Sequence, residues 1–212
     1  MHSNNITQIF QRFRDYIAEP KTELNYTNDF TLLVAIVLSA QSTDVGVNKA
    51  TSKLFKLVDT PLKMLELGEE GLKNYIKTIG LFNNKAKNIM SLSRILVKEY
   101  NSQVPVSFDL LYSLPGVGRK TANVFLNCAY NYPTIAVDTH VFRVSNRLGL
   151  VNTSNVLDTE KQLCKVVPEK YKVKVHHWLI LHGRYICKAR KPECNRCIVQ
   201  DLCKYKQKDL SL

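Results

Sequence analysis

Acidic residues are scarce in this chain: 18 Asp and Glu stand against 30 Lys and Arg in 212 residues, a formal net charge of +12. Such an imbalance favours a polyanionic partner, because phosphate contacts supply most non-specific nucleic-acid affinity. A merely basic soluble protein has the same balance, so charge alone leaves both readings open. Long hydrophobic runs are also missing. The longest, Phe30 to Ala40, is too short to span a bilayer and reads as a buried helix, so no membrane association is expected. The first residues, Met1–Asn5, carry no basic region followed by an apolar core, so no secretory signal is expected and the chain is assigned to the cytoplasm. Cysteine is limited to six residues. In a reducing compartment these suit metal binding better than disulfides. No alternating apolar run is long enough to nucleate a sheet, and no low-complexity linker or solenoid repeat occurs.

What is present is helical periodicity broken by proline and glycine. The spacing predicts an all-α chain with helices over about 5–18, 29–40, 44–57, 69–78, 83–100, 107–113, 119–130, 139–148, 157–166 and 171–186. Asp44 and Ser107 read as N-caps, and Gly149 as a C-terminal stop. The positive charge is concentrated late. From Pro168 to Leu212 there are 11 Lys and Arg against 4 Asp and Glu.

The most informative stretch is Leu114-Pro115-Gly116-Val117-Gly118-Arg119-Lys120. Pro115 with two glycines one residue apart cannot continue a helix and forces a tight hairpin between two apolar helical runs. Such a hairpin turns backbone N–H groups outward beside the positive end of the next helix, an arrangement suited to phosphate. Lys120 falls in the first turn of that helix, where the macrodipole disfavours a positive charge. A lysine held there loses its proton more readily and becomes a candidate amine nucleophile. Ile79-Gly80-Leu81-Phe82 echoes the hairpin weakly and reads as an ordinary helix connection.

Cys187, Cys194, Cys197 and Cys203 form a C-x6-C-x2-C-x5-C array within 17 residues. Four thiolates this close suit one tetrahedral zinc or one iron–sulfur cubane, and thiolate chemistry alone leaves the two open. Between the first two runs Lys188-Ala189-Arg190-Lys191, which is either a phosphate contact or a solvated charged loop. Cys128 and Cys164 lie in apolar helical patterns and read as core. Asp138, before Thr139 and His140, is by default a helix N-cap. Capping also holds a carboxylate ionised and fixed, as a group facing a developing cation must be. His140, Arg143 and Arg147 share helix faces distinct from Val141, Val144 and Leu148, and form either a solvated basic face or a DNA contact. His176, His177 and His182 read as core or surface residues, with spacing that is poor for metal ligation.

Leu114–Thr121, Asp138–His140, Leu38-Ser39-Ala40-Gln41 and the cysteine array occur in the order and spacing of one family. Together they resemble the helix-hairpin-helix base-excision DNA glycosylase superfamily over nearly the whole chain. The resemblance implies an all-α fold of two helical domains with the DNA-binding cleft between them. Residues 22–132 would form a helical barrel containing the hairpin, and 1–21 with 133–212 a discontinuous cluster domain. It implies one [4Fe–4S] cluster on Cys187, Cys194, Cys197 and Cys203, shaping the basic loop at Lys188, Arg190 and Lys191. Iron–sulfur is thereby preferred to zinc by analogy.

The same resemblance implies a monomer that binds damaged double-stranded DNA without a nucleotide cofactor. Gly116, Val117, Gly118, Arg119, His140 and Arg143 would contact DNA, while Gln41 and Leu81 would fill the gap left by an extruded pyrimidine. Lys120 would attack the sugar and form a Schiff base, with Asp138 taking a proton from Lys120 and stabilising positive charge on the sugar. The implied activity is a bifunctional N-glycosylase and abasic-site lyase acting on oxidised or ring-saturated pyrimidines. Two alternatives differ. An adenine-mismatch glycosylase of the same superfamily lacks the hairpin lysine and usually has a further C-terminal domain, whereas Lys120 is present and the sequence stops soon after Cys203. A non-catalytic DNA-binding module would have no use for both Lys120 and Asp138.

Overall fold

A computed structural model describes residues 3–210, and among these there is helix, turn and irregular chain but no strand. The α-helices are α1 (Ser3–Tyr16), α2 (Asp29–Ser39), α3 (Asp44–Leu57), α4 (Pro61–Ile76), α5 (Phe82–Glu99), α6 (Phe108–Tyr112), α7 (Arg119–Tyr130), α8 (Thr139–Leu148), α9 (Val156–Val166) and α10 (Lys172–Tyr185). No helix among the described residues is long and apolar enough to cross a membrane.

Local chemistry explains most boundaries. Asn28 and Thr31 form a reciprocal capping box at α2. Gly149 stops α8 in the left-handed conformation at φ +77°, as the sequence indicates. Two expectations need correction. At α3 the N-cap is Thr43, whose hydroxyl accepts from the Gly46 N–H, and Asp44 sits instead in the first turn, where its charge suits the helix dipole. Helix α4 begins at Pro61, well before residue 69, because Thr60 caps it and proline is favoured at the first helical position. Gly68, at φ +74°, then kinks the chain and resets the apolar phase, so periodicity alone detects only the second half. Ser107 occupies the N-cap position of α6 but makes no capping bond through its side chain.

The chain divides into two compact units, Glu23–Tyr130 and the two chain ends Met1–Thr22 with Asn131–Leu212. In the first unit α2 is the central helix. Every residue from Phe30 to Leu38 is buried, and α3, α5 and α7 pack around it. Each fully buried Leu, Ile, Val or Phe there contributes about 1.5–3 kcal/mol relative to exposure. The unit therefore carries α7, and with it the hairpin, on a rigid support.

In the second unit Phe10, Phe13, Tyr171 and Trp178 form a ring cluster, with Phe10 and Tyr171 centroids 5.7 Å apart. Trp178, the chain's one tryptophan, spends its indole N–H on the Ile17 carbonyl at 2.8 Å. Arg12 on α1 donates to both carboxylate oxygens of Asp201 and to the Ile198 carbonyl. The N-terminal helix is thereby fastened to the segment that carries the cysteines.

Gly116 has φ +79°, and a Cβ there would lie 2.8 Å from the Cβ of Asn88 on α5. Gly118 meets nothing within 4 Å. Gly116→Ala is therefore expected to cost at least about 1–2 kcal/mol from the left-handed backbone alone. Gly118→Ala should stay within about 0.5 kcal/mol of the parent. Urea denaturation of the two variants checks both values.

Candidate functional site

In the first unit the hairpin joins α6 to α7. The Val117 N–H closes the turn on the Leu114 carbonyl at 3.0 Å, and the Val117 side chain is buried. What Val117 offers outward is therefore backbone. Gly116, Gly118, Arg119 and Lys120 are exposed around it. The Arg119 guanidinium lies over the Phe108 ring at 5.2 Å, which holds it against α6. Lys120 is the second residue of α7, directly after the exposed turn.

Gln41 and Leu81 share an unusual feature. Both are non-glycine residues in the left-handed conformation, at φ +56° and +59°. Gln41 follows the C-terminus of α2, and Leu81 occupies the N-cap position of α5 without a side-chain cap. Leu81 is 58% exposed, well above what an apolar residue used for packing would show. Gln41, Ser42, Thr78 and Gly80 line an open cleft of about 740 Å³.

Sequence reading passed over Lys85. It is only 5% exposed, and its ammonium donates to the Leu38 carbonyl and to Ser42 Oγ, both at 2.9 Å. Burial lowers its pKa from the usual lysine value. The signal was available: Lys85 lies on the same helical stripe as Ile89, Leu92 and Leu96, where a charge requires an explanation.

In the second unit Asp138 caps α8. One carboxylate oxygen accepts from the His140 and Val141 N–H groups, each at 2.8 Å. Those bonds and the helix dipole favour the ionised carboxylate and fix its direction. His140 is half-buried, with its Nδ1 3.3 Å from the Arg143 guanidinium. Arg143 itself points into the protein, donating to the carbonyls of Cys187 at 3.1 Å and Gly183 at 2.9 Å. Arg147 donates to the carbonyls of Lys188 and Ala189 at 2.7 and 3.0 Å and stacks on Tyr205 at 4.4 Å. The expected basic face of α8 thus spends much of its hydrogen-bonding capacity on the loop that follows Cys187.

Along that loop Lys188 is paired with Glu193, which also binds Arg196 at 2.5 Å. Arg190 and Lys191 are exposed, with no hydrogen bond or ion pair among the described residues. Cys187, Cys194, Cys197 and Cys203 all line one pocket, and none is in a disulfide. Burial pushes the Cys197 thiol up to about 11 and raises Cys203 as well. Deprotonating buried thiols needs a compensating cation, so loading a metal group here releases protons. Among the described residues no three His, Cys, Asp or Glu side chains converge to hold a single metal ion. Four thiols lining one pocket are a donor set for a thiolate-held metal group. His176, His177 and His182 are buried, and His182 reaches Cys197 Sγ at 3.4 Å from Nε2. Cys164 packs against the core of this unit.

Comparison with known proteins agrees with these parts. Residues 34–169 match the family model for the HhH-GPD superfamily base excision DNA repair protein. Residues 187–203 match the model for the iron–sulfur binding domain of endonuclease III. The chain is 58% identical over 201 residues to endonuclease III of Escherichia coli strain K12, covering 95% of each chain. It is 57% identical over 205 residues to endonuclease III of Rickettsia prowazekii strain Madrid E, covering 97% of each. Among solved structures it is similar to a trapped endonuclease III–DNA covalent intermediate, with TM-score 0.89, 43% identity and 96% of each chain covered. The hairpin, the capped aspartate and the four-cysteine pocket are the features of a recognised lineage: this chain belongs to the endonuclease III family of the HhH-GPD base excision DNA repair superfamily.

Proposed function

We propose that this protein is a base-excision repair enzyme, a DNA N-glycosylase and abasic-site lyase, that removes oxidised or ring-saturated pyrimidines from duplex DNA. It works as a monomer in the bacterial cytoplasm on nucleoid DNA and needs no nucleotide cofactor. The observation that carries this reading is the exposed Lys120 in the first turn of α7, directly after a hairpin turn with exposed Gly116 and Gly118. A covalent endonuclease III–DNA intermediate has been captured in a relative 43% identical to this chain.

Phosphates bind the backbone N–H groups of Gly116 and Gly118, in the turn that Val117 closes, together with Arg119, Arg190 and Lys191, contacts that position DNA without reading its sequence. A damaged base costs less to unstack, so extrusion already contributes selectivity. Gln41 and Leu81 occupy the space it leaves. The Lys120 amine attacks C1′ of the sugar. The C1′–base bond breaks, the base departs with a proton, and ring opening leaves an imine between Nζ and C1′. Asp138 takes up the proton lost by the amine and faces the cationic sugar. The imine acidifies the C2′ proton. Its removal expels the 3′ phosphate by β-elimination, and water then hydrolyses the imine and restores Lys120. Arg143 serves DNA binding by holding the Cys187 carbonyl at the start of the basic loop, and His140 lies against its guanidinium. One [4Fe–4S] cluster on Cys187, Cys194, Cys197 and Cys203 supplies structural cross-linking of that loop.

Three outcomes are expected. Borohydride added during turnover on thymine-glycol duplex should trap protein on DNA, and Lys120→Gln should abolish the trapped band on a denaturing gel. Undiminished trapping in that variant would remove Lys120 from the mechanism. Asp138→Asn should lower single-turnover excision by at least about 100-fold while leaving duplex affinity within a few-fold. Comparable losses in both would reduce Asp138 to a helix cap. Anaerobically purified protein should be yellow-brown with about four iron and four acid-labile sulfide per chain. Cys197→Ala should lose the colour.

A further inference from the structure

We propose that Lys85 is a positioning residue that ties the Gln41 turn to the Leu81 turn and holds both side chains ready to enter the duplex. The inference rests on the proposed gap-filling role of Gln41 and Leu81 and adds to it the group on which both turns depend.

Three observations converge. First, α2 ends at Ser39, and the chain leaves it through a non-helical Ala40 (ψ 117°) and a left-handed Gln41. The Ser42 N–H bonds the Ser39 carbonyl at 3.0 Å instead of continuing the helix ladder to Leu38. The Leu38 carbonyl is therefore one of the acceptors that a helix end leaves without a backbone donor. Lys85 Nζ takes it, and with a second bond to Ser42 Oγ it grips the turn on both sides of Gln41. Second, the Lys85 backbone N–H donates to the Leu81 carbonyl at 3.1 Å, the first helical bond of α5. One residue thus anchors the second turn through its main chain and the first through its side chain. Third, the two turns are adjacent: a Cβ on Gly80 would lie 3.9 Å from the Gln41 carbonyl oxygen, and both turns line the same cleft.

The choice of a cation follows from its position. Lys85 is buried and has no carboxylate partner among the described residues, a costly arrangement for an ammonium. What offsets the cost is the negative end of the α2 dipole, concentrated on carbonyls such as that of Leu38. A hydrophobic residue would pack in the same volume more cheaply, but it would leave the Leu38 carbonyl unsatisfied and the Gln41 turn free to relax. Lysine at this place exchanges stability for a fixed turn.

The test separates gap filling from general integrity. Cluster-loaded Lys85→Met keeps the length of the stem and removes the three donors. Its single-turnover excision of thymine glycol from duplex should fall about tenfold or more, since small misplacements of positioning groups carry losses of this size. Cleavage of single-stranded DNA carrying a preformed abasic site requires no vacated stack to be filled, and should stay within about twofold of the parent. The fluorescence of 2-aminopurine opposite the lesion should lose the change that accompanies insertion. Equal losses on both substrates, or none on either, would overturn the proposal. If Lys85→Met does not fold, Ser42→Ala decides, since it removes one of the two ammonium acceptors and should show the same split in smaller degree. Gln41→Ala and Leu81→Ala, assayed in parallel, test the reading beneath. Duplex excision at the parental rate in both would overturn gap filling itself. Losses there without a loss in Lys85→Met would overturn the positioning role alone.

Discussion

An α-helix cannot satisfy its own ends, and this protein sets its chemistry where those unsatisfied groups lie. The first N–H groups and last carbonyls of each helix need partners from outside the helix. Asp138 supplies a carboxylate to the N–H groups of His140 and Val141 and is fixed by them in return. Lys120 lies in the first turn of α7, where the helix's first N–H groups have no partner within the helix. At the other polarity, Lys85 supplies a cation to the carbonyl end of α2. At Asp138 and Lys85 the demand of the helix end decides which charge belongs there, whereas Lys120 stands against the dipole of its own helix. The cost of a short all-helical design, many unpaired ends, becomes its supply of positioned charges.

The segment from Cys187 onward follows another logic. Past α10 the described chain holds one short 3-10 turn and otherwise irregular backbone, so few of its carbonyls are paired by regular structure. Arg143 and Arg147 meet that need from α8, donating to the carbonyls of Cys187, Lys188 and Ala189. Guanidinium suits the task because its donors fan out in a plane and reach several acceptors at once. A consequence is selectivity among the cations of the loop. Arg143 and Arg147 are committed inward and Lys188 is paired with Glu193, while Arg190 and Lys191 keep their charge available outward. Loop charge is therefore divided between holding the loop and presenting it.

Sequence captured what punctuation and chemistry write directly. Pro115, Gly116 and Gly118 declare a turn because no other conformation suits them, and the spacing of Cys187, Cys194, Cys197 and Cys203 declares a shared ligand. Asp138 was legible as a cap, although only resemblance assigned it chemistry. The first half of α4 was not legible, since Gly68 resets its apolar phase. In the sequence Arg143 reads as part of an outward basic face, solvated or against DNA, because helical periodicity gives a face but not the neighbour that occupies it. That neighbour is the Cys187 loop, more than 40 residues away in sequence, and its carbonyls leave no mark in composition. The burial of Lys85 is legible from its helical stripe but its partners are not: the Leu38 carbonyl and the Ser42 hydroxyl lie more than 40 residues away, and a carbonyl's demand for a donor is silent in a sequence.

The left-handed residues show why these turns are not simply glycine. Gln41 and Leu81 each hold a conformation that costs an L-residue about 1–2 kcal/mol. Glycine would remove that strain, as it does at Gly116 and Gly149. Selection for stability alone would favour the replacement at both positions, and more strongly at Leu81, whose side chain is exposed. Strain that persists where it is easily relieved marks a side chain needed for something other than folding. The gap filling proposed for these residues needs both properties at once: a sharp turn to project the side chain and a body to occupy the space. Glycine provides the turn without the body, and an ordinary helical residue the body without the turn. A strained Gln and a strained Leu, held from below by a buried lysine, provide both.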